Sequence, residues 1–148
     1  MRSAQSSFEY MMVIAIAFVI IVPTAYLFFN YSKESSEEIS DAQITIVGRS
    51  IVDAAETIYY SGQGSKTVLD LTVPDNAVSA VIIDGRELVF NMSSKLGISE
   101  IVFFSGVNLT TNSFCEINVC NLPEVAQSGF KKIKIEAIKK DSVNVDVI

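Results

Sequence analysis

The sequence predicts an α+β protein, in which a long N-terminal hydrophobic helix precedes an antiparallel β-rich head, either a sheet or a small sandwich. Three observations support this fold class. An uncharged apolar run extends from Tyr10 to Phe29, and an amphipathic segment follows it as far as Tyr60. From Lys66 onward, apolar and polar residues alternate as they do in strands. The 148 residues therefore divide into a stem and a head.

The apolar run is long enough to cross a bilayer. It contains 20 residues, and a helix of that length spans about 30 Å, the thickness of a hydrocarbon core. Pro23 removes one backbone hydrogen bond and predicts a kink in this helix. Arg2 precedes the run and several acids follow it, so the positive-inside rule places the N-terminus in the cytoplasm and the head outside. We expect the run to be retained, because no convincing small-x-small cleavage site follows it.

The segment after the run has one apolar face. Its apolar residues repeat at helical spacing, and Gly62 and Gly64 predict the end of the helix near Tyr60. A break in the helix is expected most readily within residues 30–38. We expect the apolar face to pack on the head, and its residues are Ile44, Val47, Ile51, Ala54, Ala55 and Ile58.

About six strands are predicted after residue 65. Two of them lie within residues 77–92 and are joined at Asp84-Gly85, which is a strong hairpin signal. Most of the connections are short, which favours antiparallel pairing. The other predicted strands cover residues 67–73, 99–106, 130–138 and 142–147.

Composition argues against several classes of function. The net charge is -6, which gives nucleic-acid binding no electrostatic support. The basic segment Lys131–Lys140 alternates with Ile and Ala and is typical of the solvated face of a strand. The chain has no histidine and none of the common nucleotide-binding, zinc-protease or serine-hydrolase motifs. We therefore predict no enzyme activity, no catalytic, metal or cofactor-binding residues, and no cofactor.

Two cysteines, Cys115 and Cys120, lie close together in the sequence. On a straight strand they would point to opposite faces, so a disulfide between them needs a turn. Outside the cytoplasm a local disulfide is favoured. Half of a metal site and a pair of reduced buried thiols are the alternatives.

Three Asn-x-Ser/Thr sequences make N-glycosylation of an exterior head a further expectation. They begin at Asn30, Asn91 and Asn108. Asn30 lies close to the apolar run and is the least accessible of the three if several stems pack together.

The first residues carry a resemblance to a known family. Gln5, Ser7 and Glu9 stand immediately before the apolar run, in the pattern Gln-x-Ser-x-Glu. This segment resembles the N-terminus of archaeal type IV pilins with a class III signal peptide. Archaellins resemble it less well, because they usually lack this block. The chain departs from the family in its leader, which is only four residues long and ends in Ala4 where Gly is common.

The resemblance implies a life cycle and a set of partners. A prepilin peptidase would cut between Ala4 and Gln5, and an assembly ATPase with a membrane platform would extract the precursor from the cytoplasmic membrane. Copies of the chain would then form an extracellular filament through their stems. The predicted segments are a leader at 1–4, a stem at 5–32, an amphipathic helix at 33–62 and a β-rich head at 63–148.

The position of Glu9 agrees with that expectation. A lone carboxylate at the edge of hydrocarbon is costly unless it snorkels or pairs. Cleavage would create an α-amine at Gln5 with which Glu9, of the same or a neighbouring copy, could pair. The alternative function is a single-pass membrane-anchored extracellular binding protein that does not polymerise, with Glu9 at the headgroup level. A minor pilin and a membrane-tethered enzyme are further alternatives.

Overall fold

The chain folds as one long N-terminal helix followed by antiparallel-rich sheets, which confirms the α+β class. The computed structural model describes residues 2–95, 97–113, 115–139 and 141–148, with the side chains of 2–7, 34, 37 and 139 excepted. Helix α1 covers Arg2–Ser61 and ends before Gly62 and Gly64, both of which have positive φ. Glycine tolerates such angles without steric cost, so the predicted end of the helix is confirmed.

The chain divides into two compact units, Met1–Glu38 and Ile39–Ile148. Helix α1 contributes to both units and is continuous across residues 30–38, so the break expected there is absent from these residues. The second unit contains the end of α1 and all the strands that the structure describes.

Nine strands follow α1 in the described part of the chain. The six longer ones match the predicted strands, whereas β5, β6 and β7 were not predicted. Their bounds are β1 Lys66–Val73, β2 Ala77–Ile83, β3 Glu87–Ser94, β4 Gly97–Phe104, β5 Leu109–Thr110, β6 Cys115–Glu116, β7 Val119–Asn121, β8 Gly129–Lys139 and β9 Ser142–Val147.

The strands form two sheets. One has four strands in the order β1-β8-β9-β5, and the other has five in the order β4-β3-β2-β7-β6. All pairs are antiparallel except β5 with β9, which is parallel. The hairpin between β2 and β3 turns at Asp84 and Gly85 as predicted, since both have positive φ and Arg86 N–H donates to Ile83 O at 3.0 Å.

A single hydrophobic core joins α1 to both sheets. The predicted stripe of α1 supplies one side of it, because Ile44, Ile51 and Ala55 are fully buried. Ala54 of the stripe is partly buried, and Val52 is buried beside it without having been predicted. The loop between β7 and β8 also enters the core. The largest core residues of the two sheets are Val73, Ile82, Leu88, Phe90, Met92, Ile133, Ile135, Val143 and Val145.

Two contacts fix α1, one against the five-stranded sheet and one against the loop that follows β4. The ring of Phe103 lies directly over Gly48, where an added Cβ would be 2.2 Å from the ring. Only glycine permits this approach of strand to helix. Further along the helix, the Oε1 atom of Glu56 accepts a hydrogen bond of 2.9 Å from the N–H of Gly106.

Candidate functional site

The first candidate site is the apolar surface of the predicted stem, whose side chains are described from residue 8 to residue 32. Every side chain in this range is exposed. Even the least exposed of its large apolar side chains, Ile14, is 37% accessible. Helix α1 contains a window with mean hydropathy 2.6, none of which is buried. A single helix of this length and composition is compatible with a membrane anchor or a signal sequence.

Helix α1 continues through Pro23, and the kink there stays a prediction. Next to it, the hydroxyl of Thr24 donates a hydrogen bond of 2.7 Å to the carbonyl of Ile20, one turn back. Such a bond satisfies the hydroxyl within its own helix. Thr24 therefore needs no polar partner when the stem lies in lipid or among other apolar helices.

Glu9 is exposed near the start of the stem and has no ion pair among the residues that the structure describes. The backbone of Ala4, Gln5 and Ser7 is helical, but their side chains lie outside the described residues. Gln5 and Glu9 are four residues apart in a continuous helix. Residues at this spacing lie on the same face, about 6 Å apart along the axis.

The two cysteines form the local disulfide that was favoured. Cys115 and Cys120 are joined at an S–S distance of 2.03 Å and pair across β6 and β7. The turn that the bridge requires lies between them, at Ile117 and Asn118, both of which have positive φ. Because both sulfurs are used in the bond, the thiol and metal-ligand alternatives do not apply.

Ile117 lies at the tip of this disulfide hairpin and is 97% exposed. A β-branched residue with positive φ is a rare conformation with a steric cost. The cysteine spacing predicted the disulfide, but no sequence pattern predicted an exposed apolar side chain at the tip of the hairpin.

The three predicted glycosylation positions differ in accessibility. Asn30 and Asn108 are exposed, whereas Asn91 is partly buried. The Nδ2 atom of Asn91, which a glycan would occupy, donates a hydrogen bond of 2.8 Å to Ser79 Oγ. The side chain of Asn108 lies against Gly85, where an added Cβ would be 1.8 Å from its Oδ1 atom.

No family model, curated protein or solved structure matches this chain. The candidate sites therefore depend on the geometry of the chain itself.

A polar cluster around Asp146 was not predicted from the sequence. Its carboxylate accepts hydrogen bonds from the Thr111 hydroxyl at 2.9 Å, the Asn112 backbone N–H at 3.1 Å and Asn144 Nδ2 at 2.6 Å. The Asn112 side-chain amide also donates to it. Residues far apart in sequence meet here, so no local pattern could reveal the cluster. All of these donors come from the head, so Asp146 ties the segment after β5 to β9.

A cavity of about 290 Å³ lies beside this cluster, and Glu124 and Val125 also line it. Among the residues that the structure describes, no group of three or more acidic or cysteine side chains is arranged to hold a metal ion.

Proposed function

We propose that this chain is the structural subunit of an extracellular filament of the archaeal type IV pilus kind, made first as a membrane-held precursor. The observation that carries the proposal is the stem. Its side chains are apolar on all sides and exposed, with one acid near its start, while the head has a core of its own. A helix that is apolar all round is stable only when lipid or other apolar helices surround it.

Assembly would exchange one apolar environment for another. Moving the stem from lipid into a bundle of stems changes apolar burial little, so close packing must favour the bundle. Glu9 would also fix the axial position of each stem relative to its neighbours. A copy at the wrong height would leave a carboxylate unpaired among apolar side chains, which costs several kcal/mol.

The partner of Glu9 would come from processing of the N-terminus. A cut between Ala4 and Gln5, as the resemblance implies, would place a new α-amine on Gln5. In the helix this amine lies about one turn from Glu9. The amine of the same or of a neighbouring copy can therefore neutralise the carboxylate.

The first test is N-terminal sequencing of filaments sheared from cells that produce this chain. We expect the filament subunit to begin at Gln5, and the membrane fraction to contain chains that begin at Met1. If the chain occurs only in membranes and always begins at Met1, the alternative of a membrane-anchored extracellular binding protein is correct instead.

The second test compares two exposed acids on the same helix. Glu9→Ala should abolish filaments while leaving the amount of chain in the membrane unchanged, because the head does not depend on Glu9. Glu38→Ala removes the same charge beyond the stem and should leave filament yield unchanged. Filaments of Glu9→Ala in normal amounts would contradict the assembly role of Glu9.

In the filament the heads would form the outer surface and make contacts with other surfaces, so adhesion is the expected role. We expect any N-linked glycan on the head to be attached at Asn108 rather than Asn91, because the Nδ2 atom of Asn91 is bonded to Ser79. Glycopeptide mass spectrometry of purified filaments measures the occupancy of each position. Occupancy of Asn91 with Asn108 unmodified would contradict this expectation.

A further inference from the structure

The outer face of the five-stranded sheet, meaning the face turned away from the core, is apolar at its centre. Val81 of β2 lies opposite Val89 of β3, which lies opposite Val102 of β4. Val89 is only 4% exposed, yet it is outside the core cluster. The core residues of β3 are Leu88, Phe90 and Met92, which alternate with Val89 along the strand. An antiparallel sheet with one solvated face normally has polar residues on that face, whereas this face has apolar residues at its centre. Val89 is already covered by its neighbours in a single copy, and Val102, which is 39% exposed, offers apolar surface to a partner.

Acidic residues surround this row. Glu87, Glu100 and Glu116 have the same outward orientation as the valines, according to the strand register. The described strands of this sheet contain no Lys or Arg. Phe104 pairs with Glu87 and is 73% exposed. Beside β4, helix α1 contributes the opposite charges of Arg49 and Asp53 to the same edge, and these offset each other.

The outer face of the four-stranded sheet differs in that it carries lysines. It presents the exposed apolar side chains Val68, Phe130 and Ile138, of which Phe130 is 63% accessible. Lys66, Lys132 and Lys134 lie on this face, and their orientation follows from the pairing of β1 with β8.

Acids on the same face balance this basic charge. Lys132 pairs with Asp70 at 3.0 Å, and Lys134 pairs with Glu136. Lys66 lies opposite Glu136 across the β1–β8 pair. Asp146 belongs to this face by register, and the hydrogen bonds that its carboxylate accepts from Thr111, Asn112 and Asn144 come from neutral groups, which leave its negative charge in place. With three lysines and three acids the face is neutral overall, and its exposed lysines lie among apolar side chains.

We propose that these two faces bind each other between copies of the chain, so that the five-stranded face of one head contacts the four-stranded face of the next. This inference rests on the proposed function. Both faces point away from one shared core, so a single copy cannot bring them together. When two copies bind through different faces, each copy still has one face unoccupied. Further copies can therefore add at both ends, and such contacts repeat into open helical filaments.

Charge favours this pairing over a symmetric one. Two five-stranded faces in contact would bring glutamates against glutamates with no cation in the strands to offset them, and such like-charge contacts are unfavourable. The four-stranded face is neutral overall and brings exposed lysines to the glutamates without adding net negative charge, while apolar side chains on both faces leave water together. The stems would then supply most of the packing, and the heads would fix the rotation between neighbouring copies.

The experiment is carbodiimide cross-linking of filaments assembled from equal amounts of ¹⁴N- and ¹⁵N-labelled full-length chain. Carbodiimide joins a carboxylate to a lysine in contact with it. We expect mixed-isotope peptides that link Glu87, Glu100 or Glu116 of one copy to Lys66, Lys132 or Lys134 of another. If filaments form and such links occur only within one copy, or are absent, the inference fails and the proposed function stands. If no filaments form at all, both fail.

Charge reversal gives a second measurement on the same filaments. Glu100→Lys should lower filament yield about tenfold, the ratio that ~1.4 kcal/mol produces. Adding Lys66→Glu to the same chain should restore most of the yield. Asp75→Lys makes the same charge change on an exposed residue in the turn between β1 and β2 and should leave the yield unchanged. Near-UV circular dichroism of each variant should match the original chain, because all three residues are exposed. Equal yields from Glu100→Lys and Asp75→Lys would overturn the inference.

Discussion

The two halves of α1 differ in where their apolar side chains find partners. Residues 8–32 are exposed on every side, whereas the second half buries Ile44, Ile51 and Ala55 completely in the core of the head. The difference follows from the arrangement of the residues. The second half has one apolar stripe that a sheet can cover, and the first half is apolar all round, which a single sheet cannot cover. One half therefore stabilises the monomer, and the other is available to lipid or to other copies.

The largest expected effect comes from matched substitutions in the two halves. Ile51→Ala should lower the free energy of unfolding of the head by about 2–5 kcal/mol, because it leaves a cavity in a closed core. Ile20→Ala removes the same atoms from the stem and should leave this free energy unchanged. Chemical denaturation of the full chain in detergent micelles, followed by near-UV circular dichroism, measures both. Equal effects of the two substitutions would contradict the division of α1 into two roles.

Gly48→Ala tests how closely the second half of α1 approaches the sheet. The added methyl group would overlap the ring of Phe103, and overpacking of this kind costs about 1–3 kcal/mol. The double variant Gly48→Ala with Phe103→Ala should be more stable than the sum of the single effects allows, because the overlap is then gone. The denaturation midpoints of the original chain, the two single variants and the double variant give the coupling energy between Gly48 and Phe103. If the effects of the two single substitutions on stability simply add, the ring of Phe103 is not the reason that position 48 requires glycine.

Ile117 is an apolar residue of the head that, like the stem, has no partner in its own chain. Ile117→Asn should stabilise the hairpin by roughly 1 kcal/mol, because asparagine tolerates positive φ better than a β-branched residue does. Val119→Asn is the matched control within β7 and should not stabilise, since asparagine is unfavourable in strands. Amide hydrogen exchange at residues 115–121 reports both. Faster exchange in Ile117→Asn than in the original chain would contradict the prediction.

The smallest effect concerns Glu136, a carboxylate of the head that has a cation beside it. The hydrogen bond from Lys134, together with the positive charges of Lys134 and Lys66, lowers the pKa of Glu136 despite some desolvation. A lowered pKa means that the pair stabilises the head above the ordinary carboxyl pKa, and that this stabilisation is lost as the pH falls through the lowered value.

Lys134→Met should return the pKa of Glu136 towards its usual range. A carbon-detected NMR titration of the side-chain carboxyl measures the change. The Glu136 midpoint should stay in place in Lys131→Met, which removes a lysine bonded to Gln127 instead. An unchanged midpoint in Lys134→Met would mean that Lys134 is not the cause.

Patterns with a regular period were readable from the sequence. The stripe from Ile44 to Ile58 and the six longer strands repeat often enough to define a face. The Asp84-Gly85 turn has its own local chemistry. The cysteine spacing also required a turn between Cys115 and Cys120, and the structure has one there.

The remaining features depend on contacts between distant residues. Strands β5, β6 and β7 have two or three residues each, which is too few to show alternation. The sequence around Gly48 does not predict its contact with the ring of Phe103. The sequence around Asp146 likewise does not predict its hydrogen bond with Thr111. The division into two sheets also depends on these short strands, because β5 extends one sheet and β7 with β6 extends the other. The role of the Gln-x-Ser-x-Glu motif stays a prediction, since the residues whose side chains are described include no partner for Glu9.

The position of β9 has a consequence for biosynthesis. This strand is the last in chain order, yet it lies inside its sheet, between β8 and β5, and it supplies Val143 and Val145 to the core. The ribosome makes the stem first and these two valines more than a hundred residues later. A nascent chain therefore contains the whole apolar stem long before its head can fold. During that interval the incomplete sheet must be kept from pairing with other chains.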